Sequence, residues 1–192
     1  MARDYATQSN TAVRRADRAV EDETWIRKFL HTASVGTLAT VYEGQPFVNT
    51  NIFAYDEASH SIIIHTARVG RTRANIEIHD KVCFSIMEMG RLLPADEALE
   101  FSVEYAGVTI FGTMTVVDDR ETAKTLLQLL MDEDAKHIKA GHDYRPPVDE
   151  EMPRTSVFRI AIEDWSAKKK EVEPDFPNAY FYPEQPILAS NR

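Results

Sequence analysis

The stretch that decides the fold is residues 46–88, PFVNTNIFAYDEASHSIIIHTARVGRTRANIEIHDKVCFSIME. Two β-rich runs, Gln45–Tyr55 and Ser61–Thr66, are separated by the polar sequence DEAS, which is typical of a turn. Residues Arg71–His79 are compatible with a helix, and Lys81–Glu88 alternates apolar and polar residues as a strand does. Strands joined by such short turns predict an antiparallel arrangement.

Three further β-rich runs flank this stretch. They are Ser34–Tyr42, Tyr105–Asp118 and Thr155–Trp165, which bring the predicted strands to six. Because the strands do not alternate with helices, we expect an antiparallel barrel with appended helices and not a doubly wound sheet. Gly107 and Gly112 predict a bulge or bend in the fifth strand, and the three lysines after the sixth predict a return to solvent.

Two amphipathic segments predict helices on the outside of the barrel. Asp22 is the expected N-cap of the first, and Asp118 with Glu121 forms a capping-box pattern before the second. The apolar faces comprise Trp25, Ile26, Phe29, Leu30 and Ala33 in the first, and Ala123, Leu126, Leu127, Leu130 and Met131 in the second. We expect the domain to cover residues 21–170, between a flexible N-terminal arm at 1–20 and an extended C-terminal tail at 171–192.

Composition excludes several classes of protein. The chain has 192 residues, a formal net charge of −9 and a pI near 5.2, which argues against nucleic acid or an anionic membrane as its partner. Cys83 is the only cysteine, so no intramolecular disulfide can form, and no apolar run is long enough for a signal or a membrane span. We therefore expect a cytoplasmic protein. His137 and His142 are spaced wrongly for two ligands on one helix face, and we expect no metal.

The segment HTARVGRTR, residues 65–73, concentrates three arginines in an otherwise acidic chain. A glycine lets an anion approach the backbone, a helix start presents free N–H groups, and arginine adds charge-assisted hydrogen bonds. These features predict an anion site at Gly70–Arg73. The residues alone leave open a second interpretation, a solvated helix start whose arginines cover apolar surface.

An ordered series of segments resembles one known family. The segments LHTASVGTLAT, IIIHTARVG, DKVCFSIME and YAGVTIFGTMTVVDD are similar, in this order, to segments of pyridoxamine 5'-phosphate oxidase-like flavoproteins, and among these to the nitroimidazole-resistance (Nim-type) proteins. The resemblance covers roughly residues 14–165. It implies a mainly β (α+β) fold, a six-stranded antiparallel Greek-key split β-barrel of the FMN-binding type with peripheral helices. It also implies a homodimer with the flavin site at the interface.

The same resemblance implies a set of site residues. The flavin-facing residues of the second and third strands correspond to Val48, Asn49, Thr50, His65 and Thr66. The phosphate-binding residues correspond to Gly70, Arg71, Thr72 and Arg73. Thr72 stands where the family often has lysine, and Arg68 or Arg73 is the candidate to replace that charge.

Two of these assignments have structural alternatives. His65 is the candidate catalytic residue, because an imidazole beside a flavin can supply or accept a proton, but a histidine with a purely structural role in the barrel fits equally well. Trp165 and the tail aromatics are candidates to cover the flavin ring, for which packing is the alternative. The tail aromatics are Phe176, Tyr180, Phe181 and Tyr182.

The resemblance implies an FMN-dependent oxidoreductase acting on a small molecule, with a Nim-type nitroreductase as its most specific form. The alternative is a non-catalytic flavin, haem or deazaflavin-binding protein on the same barrel. A third hypothesis is a structural dimer without a cofactor, in which Arg68, Arg71 and Arg73 form salt bridges. The ending PEQPILASNR lacks the signature of pyridoxamine-phosphate oxidases proper.

Overall fold

One antiparallel sheet of eight strands organises the part of the chain that the structure, a computed structural model, describes, residues 2–182. The strands are β1 (Ala19–Val20), β2 (Val35–Tyr42), β3 (Gln45–Ile52), β4 (Ala54–Asp56), β5 (Ser61–Ala67), β6 (Lys81–Leu93), β7 (Ser102–Val116) and β8 (Thr155–Lys170). Their order in the sheet is β3-β2-β6-β7-β8-β5-β4, and β1 pairs with β8. The helices are α1 (Glu23–Thr32), α2 (Arg71–Ile76) and α3 (Arg120–Asp134), with short 3₁₀ turns at Ala2–Thr7, Ala16–Arg18, Ala98–Glu100 and Met152–Arg154.

The barrel is split between β3 and β5. β3 pairs with β2 at one end of the sheet order, and β4 pairs with β5 at the other end. Phe53 lies between β3 and β4, so the chain crosses there from one end of the sheet to the other and curls the sheet on itself. No hydrogen-bonded ladder joins β3 to β5 within residues 2–182.

The predicted fold class is confirmed, and the predicted strand count is wrong. All six predicted strands are present, but the run Gln45–Tyr55 is two strands because it changes pairing partner at Phe53. The apolar pattern continues across this point because Phe53 is buried against Phe84, with ring centroids 5.3 Å apart. The remaining additional strand is β1, which lies at the end of the predicted N-terminal arm.

The core consists of two apolar clusters that share β5 and β8. The barrel interior is filled by side chains such as Leu38, Phe84, Ile110 and Phe158, which are almost completely buried. A second cluster lies between α3 and the outer faces of β5 and β8. Because β5 is covered on both faces, the strand carries the continuous apolar run Ile62-Ile63-Ile64 and does not alternate.

The two longer helices, α1 and α3, begin with aspartate caps. Asp22 accepts a hydrogen bond from the Thr24 N–H at 2.9 Å, which confirms the predicted start of α1. The cap of α3 is Asp119 and not Asp118, with the Thr122 N–H donating to its carboxylate at 2.8 Å. The helix starts one residue later than predicted because the Val117 N–H still bonds to Val157 of β8.

The last three strands are longer than predicted. β8 continues through the lysines at 168–170, which pair with Tyr105–Gly107 of β7, so the predicted return to solvent there is wrong. The predicted irregularity at Gly112 is confirmed by a register shift between Phe111 and Gly112. A Cβ atom on Gly112 would lie 2.1 Å from the Ala161 carbonyl oxygen, so only glycine permits this approach of the strands.

The chain after β8 runs back along β6. Arg91 of β6 holds it with guanidinium hydrogen bonds of 2.9–3.1 Å to the carbonyls of Val172, Glu173 and Pro174. Residues 183–192 of the predicted tail lie outside the described residues. No helix within residues 2–182 is long and apolar enough to cross a membrane.

Candidate functional site

The predicted flavin-facing residues follow β3, the strand beside the split. Val48 is 62% exposed and shares the outer face of the sheet with Thr50, whose hydroxyl lies 3.3 Å from that of Thr37. Asn49 points to the opposite face, opposite Leu38, and its amide donates to the Asn51 side chain at 3.3 Å. Because side chains alternate along a strand, the three predicted residues cannot all contact one ligand with their side chains. Asn49 presents its polar group towards the barrel side and Val48 presents its apolar group outward.

His65 and Thr66 lie on opposite faces of β5 for the same reason. Thr66 pairs with Ser156 of β8, and its hydroxyl donates to the carbonyl of Ala67 at 2.8 Å. His65 is exposed on the side of α3. Burial, and secondly the charge of Glu133, raise the pKa of the Asp134 carboxyl at the end of α3. His65 opposes this rise. His65 therefore has an acidic neighbour.

An apolar cleft of about 460 Å³ contains His65. Its walls come from β3, β5, α3 and the loop before β8: Ile52, His65, Leu127, Leu130, Met131, Pro147, Glu151, Arg154 and Thr155. The sequence assigned Leu127 and Met131 only to the buried face of α3. In the structure both side chains are partly exposed, and the sequence pattern does not predict this exposure.

The predicted phosphate turn begins α2. Gly70 is the N-cap residue, and a Cβ atom there would meet nothing within 4 Å, so the backbone is accessible. The guanidinium of Arg71 lies over the ring of Tyr42 at the end of β2, 5.8 Å from its centroid. No ion pair of Arg71 occurs within the described part of the chain. Gly70 and Arg71 thus present an open backbone and a cation with no carboxylate partner, which fits an anionic group.

Thr72 and Arg73 point elsewhere. Thr72 is buried, 6% exposed. The guanidinium of Arg73 donates to Glu77 at 2.7 Å and to the Ser156 hydroxyl at 2.9 Å. Residues two apart in a helix are roughly 200° apart around its axis, so Arg71 and Arg73 lie on opposite sides of α2. The helix therefore divides the predicted group of phosphate ligands. That Arg73 binds the same phosphate as Arg71 stays a prediction, and this geometry does not favour it.

Helix α2 is attached to the barrel by a buried amide. Asn75 is completely buried, and its side-chain N–H donates to the hydroxyl of Thr40 in β2 at 2.9 Å. The Asn75 amide oxygen has no hydrogen-bond partner among residues 2–182. This contact fixes the C-terminal end of α2 against β2.

The site extends along β3. Ile52 at the end of β3 lines the His65 cleft, while Tyr42, beside Arg71, pairs with Gln45 at the start of β3. Val48–Thr50 lie between these two ends. Eight strand residues span on the order of 25 Å, enough for an elongated planar ligand with one anionic end.

Trp165 lies away from this site. Its ring packs on His60, with centroids 4.8 Å apart, and under the guanidinium of Arg27 at 5.5 Å. Arg27 also donates to the Tyr55 hydroxyl at 2.7 Å, which lies 3.1 Å from His60 Nδ1. Trp165 is therefore part of a polar cluster that joins α1 to the barrel. The tail aromatics are exposed, and Tyr180 forms a β-bridge with Leu92.

No group of three or more His, Cys, Asp or Glu side chains within residues 2–182 is arranged to hold a metal ion. The candidate site is thus made of an apolar cleft, an amide-bearing strand and an arginine at a helix start.

Comparison with known proteins assigns the family. The family model described as pyridoxamine 5'-phosphate oxidase matches residues 22–169. The chain therefore belongs to the pyridoxamine 5'-phosphate oxidase family, which confirms the resemblance. No curated protein sequence matches the chain.

Solved structures share the fold at low sequence identity. The FAD and heme binding protein from Mycobacterium smegmatis matches with 21% identity and a TM-score of 0.73, over 82% of this chain and 76% of that one. The flavocytochrome Anf3 from Azotobacter vinelandii matches with 20% identity and a TM-score of 0.74, over 93% and 87%. A protein described as a 5-nitroimidazole antibiotic resistance protein from Bacteroides thetaiotaomicron matches with 16% identity and a TM-score of 0.64, over 80% and 90%.

Proposed function

We propose that this protein binds FMN along β3 and is an FMN-dependent oxidoreductase acting on a small molecule. The observation that carries the proposal is the position of the Gly70–Arg71 turn and of the His65 cleft at the two ends of one exposed strand. The family and the flavin-binding neighbours in the same fold support a flavin as the ligand. We retain the cytoplasmic location expected from the sequence as part of this proposal.

The protein residues have distinct tasks in this proposal. Gly70 and Arg71 bind the phosphate through the open backbone and the guanidinium. Asn49 presents a side-chain amide to the polar edge of the ring system. A bound flavin supplies hydride transfer, which the side chains themselves cannot perform.

The His65 cleft is the proposed position of the substrate. Leu127 and Met131 of α3 exclude water from it and favour an apolar or aromatic molecule. His65, at the edge of the cleft, donates or accepts a proton at one of its ring nitrogens during the reaction. A nitroaromatic compound has this apolar character, and a Nim-type nitroreductase is the most specific version of the proposal.

We further propose a homodimer with the flavin site at its interface. Along the paired part of β3, β2 and β6, the register places uncharged side chains on the outer face of the sheet, and the charged side chain of Lys81 lies on the same face at the start of β6. The uncharged side chains are Val35, Thr37, Ala39, Val48, Thr50, Ile52, Cys83, Ser85 and Met87. Val35, Val48, Ile52 and Met87 are 43–67% exposed, which is unusual for a continuous patch on an acidic monomer. A second copy of the chain would cover this face and bring its own residues next to Val48.

The activity is tested with FMN-loaded protein, a nitroaromatic acceptor, and NADH, NADPH or a chemical reductant as alternative donors. Catalytic reduction of the acceptor above the rate with free FMN supports the oxidoreductase. His65→Gln should lower the turnover number by about 10²-fold or more while FMN content is unchanged, as expected for a proton donor. The exposed His142→Gln is the matched control. If the protein binds FMN but does not catalyse electron transfer to any acceptor, the proposed oxidoreductase activity is contradicted and a non-catalytic flavin-binding protein is supported.

The second candidate is a non-catalytic protein that binds a flavin, haem or deazaflavin. The similarity to two proteins described as binding heme or as a flavocytochrome favours it, together with the exposed imidazole of His65 in an apolar cleft. Absorbance spectra after titration with each of the three ligands distinguish these cases. Saturable haem binding that His65→Ala abolishes would support the carrier.

A further inference from the structure

A second cleft lies on the opposite side of α2 from Arg71. It encloses about 450 Å³ between α2, the start of β8 and the junction of β7 with α3. Arg68, Arg73 and Arg120 line it, and neither Gly70 nor Arg71 does. Arg68 and Arg73 both belong to the segment 65–73, and the fold brings Arg120, the first residue of α3, next to them.

Charge in this cleft opposes the charge of the whole protein. The chain carries a net charge of −9, yet the lining has three arginines and a single carboxylate, Asp118; with Glu77, which pairs with Arg73, the local charge is 3 − 2 = +1. Arg68 and Arg120 form no ion pair within the described part of the chain. The cleft therefore holds cations whose charge is only partly compensated.

One of the three arginines is already held in place. Arg73 donates to Glu77 and to Ser156, a serine that is 2% exposed, and these bonds fix its guanidinium at the cleft wall. An oriented guanidinium binds a phosphoryl group with less loss of conformational entropy than a free one. Arg68 and Arg120 are exposed and can close on a ligand from two sides.

Arg120 occupies a position that does not favour the helix. It is the first residue of α3, where the helix dipole disfavours a positive charge. The N-cap hydrogen bond is made by the Asp119 carboxylate with the Thr122 N–H, and the Arg120 side chain takes no part in it.

We propose that this cleft binds the phosphoryl group of a second small molecule, distinct from the flavin phosphate at Gly70–Arg71. The arginine fork matches phosphate oxygens, and Arg68 and Arg120, which have no ion pair, supply the positive charge that a phosphate monoester or a diphosphate requires.

Calorimetric titration of FMN-loaded protein with inorganic pyrophosphate tests the proposal, with sodium chloride at equal ionic strength as the reference for screening. We expect saturable 1:1 binding per chain. Arg68→Gln and Arg120→Gln should each weaken it about tenfold or more, as loss of a charge-assisted hydrogen bond does. Asp118→Asn should tighten it, because it removes the only carboxylate of the lining while the Asp119 cap remains.

The controls separate this site from general electrostatics and from the flavin site. Arg14→Gln removes an exposed arginine outside the cleft and should leave pyrophosphate binding unchanged. FMN affinity should be unchanged in Arg120→Gln, because Arg120 lies outside the predicted phosphate turn. No saturable binding to the wild type, or an equal loss in Arg14→Gln, overturns the proposal. A parallel loss of FMN affinity in Arg120→Gln also overturns it, since the cleft would then belong to the flavin site.

Discussion

Individual side-chain directions decide what the Gly70–Arg73 turn can do. The sequence showed three arginines close together, and composition alone predicted one anion site for them. In the structure, Arg71 lies over Tyr42 on one side of α2, and Arg73 is bonded to Glu77 and Ser156 on the other. The helical rotation between these positions separates them. The arginine-rich turn at the start of α2 was predictable from the sequence, but the division of its arginines between two sides of the helix was not, because it depends on where α2 is attached.

His60 is a second residue whose surroundings determine its behaviour. It has a left-handed backbone, φ 47°, and its Nδ1 lies 3.1 Å from the Tyr55 hydroxyl oxygen, to which Arg27 donates at 2.7 Å. Desolvation, and secondly Arg27, lower the pKa of His60 from its ordinary value of 6.5. Protonation therefore disfavours the folded state. The neutral His60 side chain therefore contributes fully to the free energy of unfolding above about pH 6.5, and this contribution is lost as the pH falls below that value.

We expect His60→Asn to remove this pH dependence. Asparagine tolerates the left-handed backbone, so the variant should lose only about 1 kcal/mol at neutral pH, for the Tyr55 hydrogen bond. Its free energy of unfolding should then change less than that of the wild type between about pH 6.5 and 5. Urea denaturation at both pH values measures this, with the exposed His142→Asn as the control. An identical pH slope in His60→Asn and wild type would show that His60 is not the titrating group.

Among the elements, α1 and the six strands of the sequence pattern were predictable because caps and apolar periodicity are local signals. The partner change at Phe53 was not, since no turn residue separates β3 from β4 in the sequence. The full length of β8 was not predictable either. Its lysines at 168–170 have low strand propensity and are held there by pairing with β7, an interaction between distant residues. The intrinsic propensities of residues therefore predict a strand well only where pairing with a distant strand does not outweigh them.

The contact between β6, β7 and the C-terminal segment gives a test at this scale. The carboxylate of Glu104 accepts three hydrogen bonds of 2.8–3.2 Å from Arg91 and one of 3.0 Å from the Val172 N–H. Arg91, the larger cause, and the Val172 N–H lower the pKa of Glu104 to about 2. Because the pKa of Glu104 is lower in the folded state, the ionised carboxylate contributes fully to the free energy of unfolding above about pH 4.5. This contribution is lost as the pH falls towards 2.

Glu104→Gln should therefore lower the free energy of unfolding by on the order of 2 kcal/mol at neutral pH, the contribution of hydrogen bonds to a charged group. It should also increase amide hydrogen exchange at Val172 and Tyr180, because Arg91 then loses its anionic partner. Glu97→Gln, in the exposed loop between the same strands, is the control. Unchanged exchange at Val172 would mean that Glu104 does not hold the segment.

For the whole molecule, the largely uncharged outer face of β3, β2 and β6 predicts association. We expect Met87→Lys, which places a charge on this face, to shift the mass in solution from a dimer towards a monomer of 21.8 kDa. Ile78→Lys is a matched control, since Ile78 is 69% exposed and Met87 67%, but Ile78 lies in the loop after α2. Light scattering after size exclusion measures the mass. A monomeric wild type, or equal dissociation in both variants, contradicts the proposed interface.

The central claim is that the split barrel binds FMN along β3 with its phosphate at Gly70–Arg71. The most direct measurement is an FMN titration of the flavin-depleted protein, followed by flavin fluorescence, in the wild type, Arg71→Gln and the control Arg14→Gln. We predict saturable binding to the wild type and to Arg14→Gln, and an affinity for FMN about tenfold or more weaker in Arg71→Gln. Absence of saturable FMN binding to the wild type, or an affinity in Arg71→Gln equal to that of the wild type, would contradict the account.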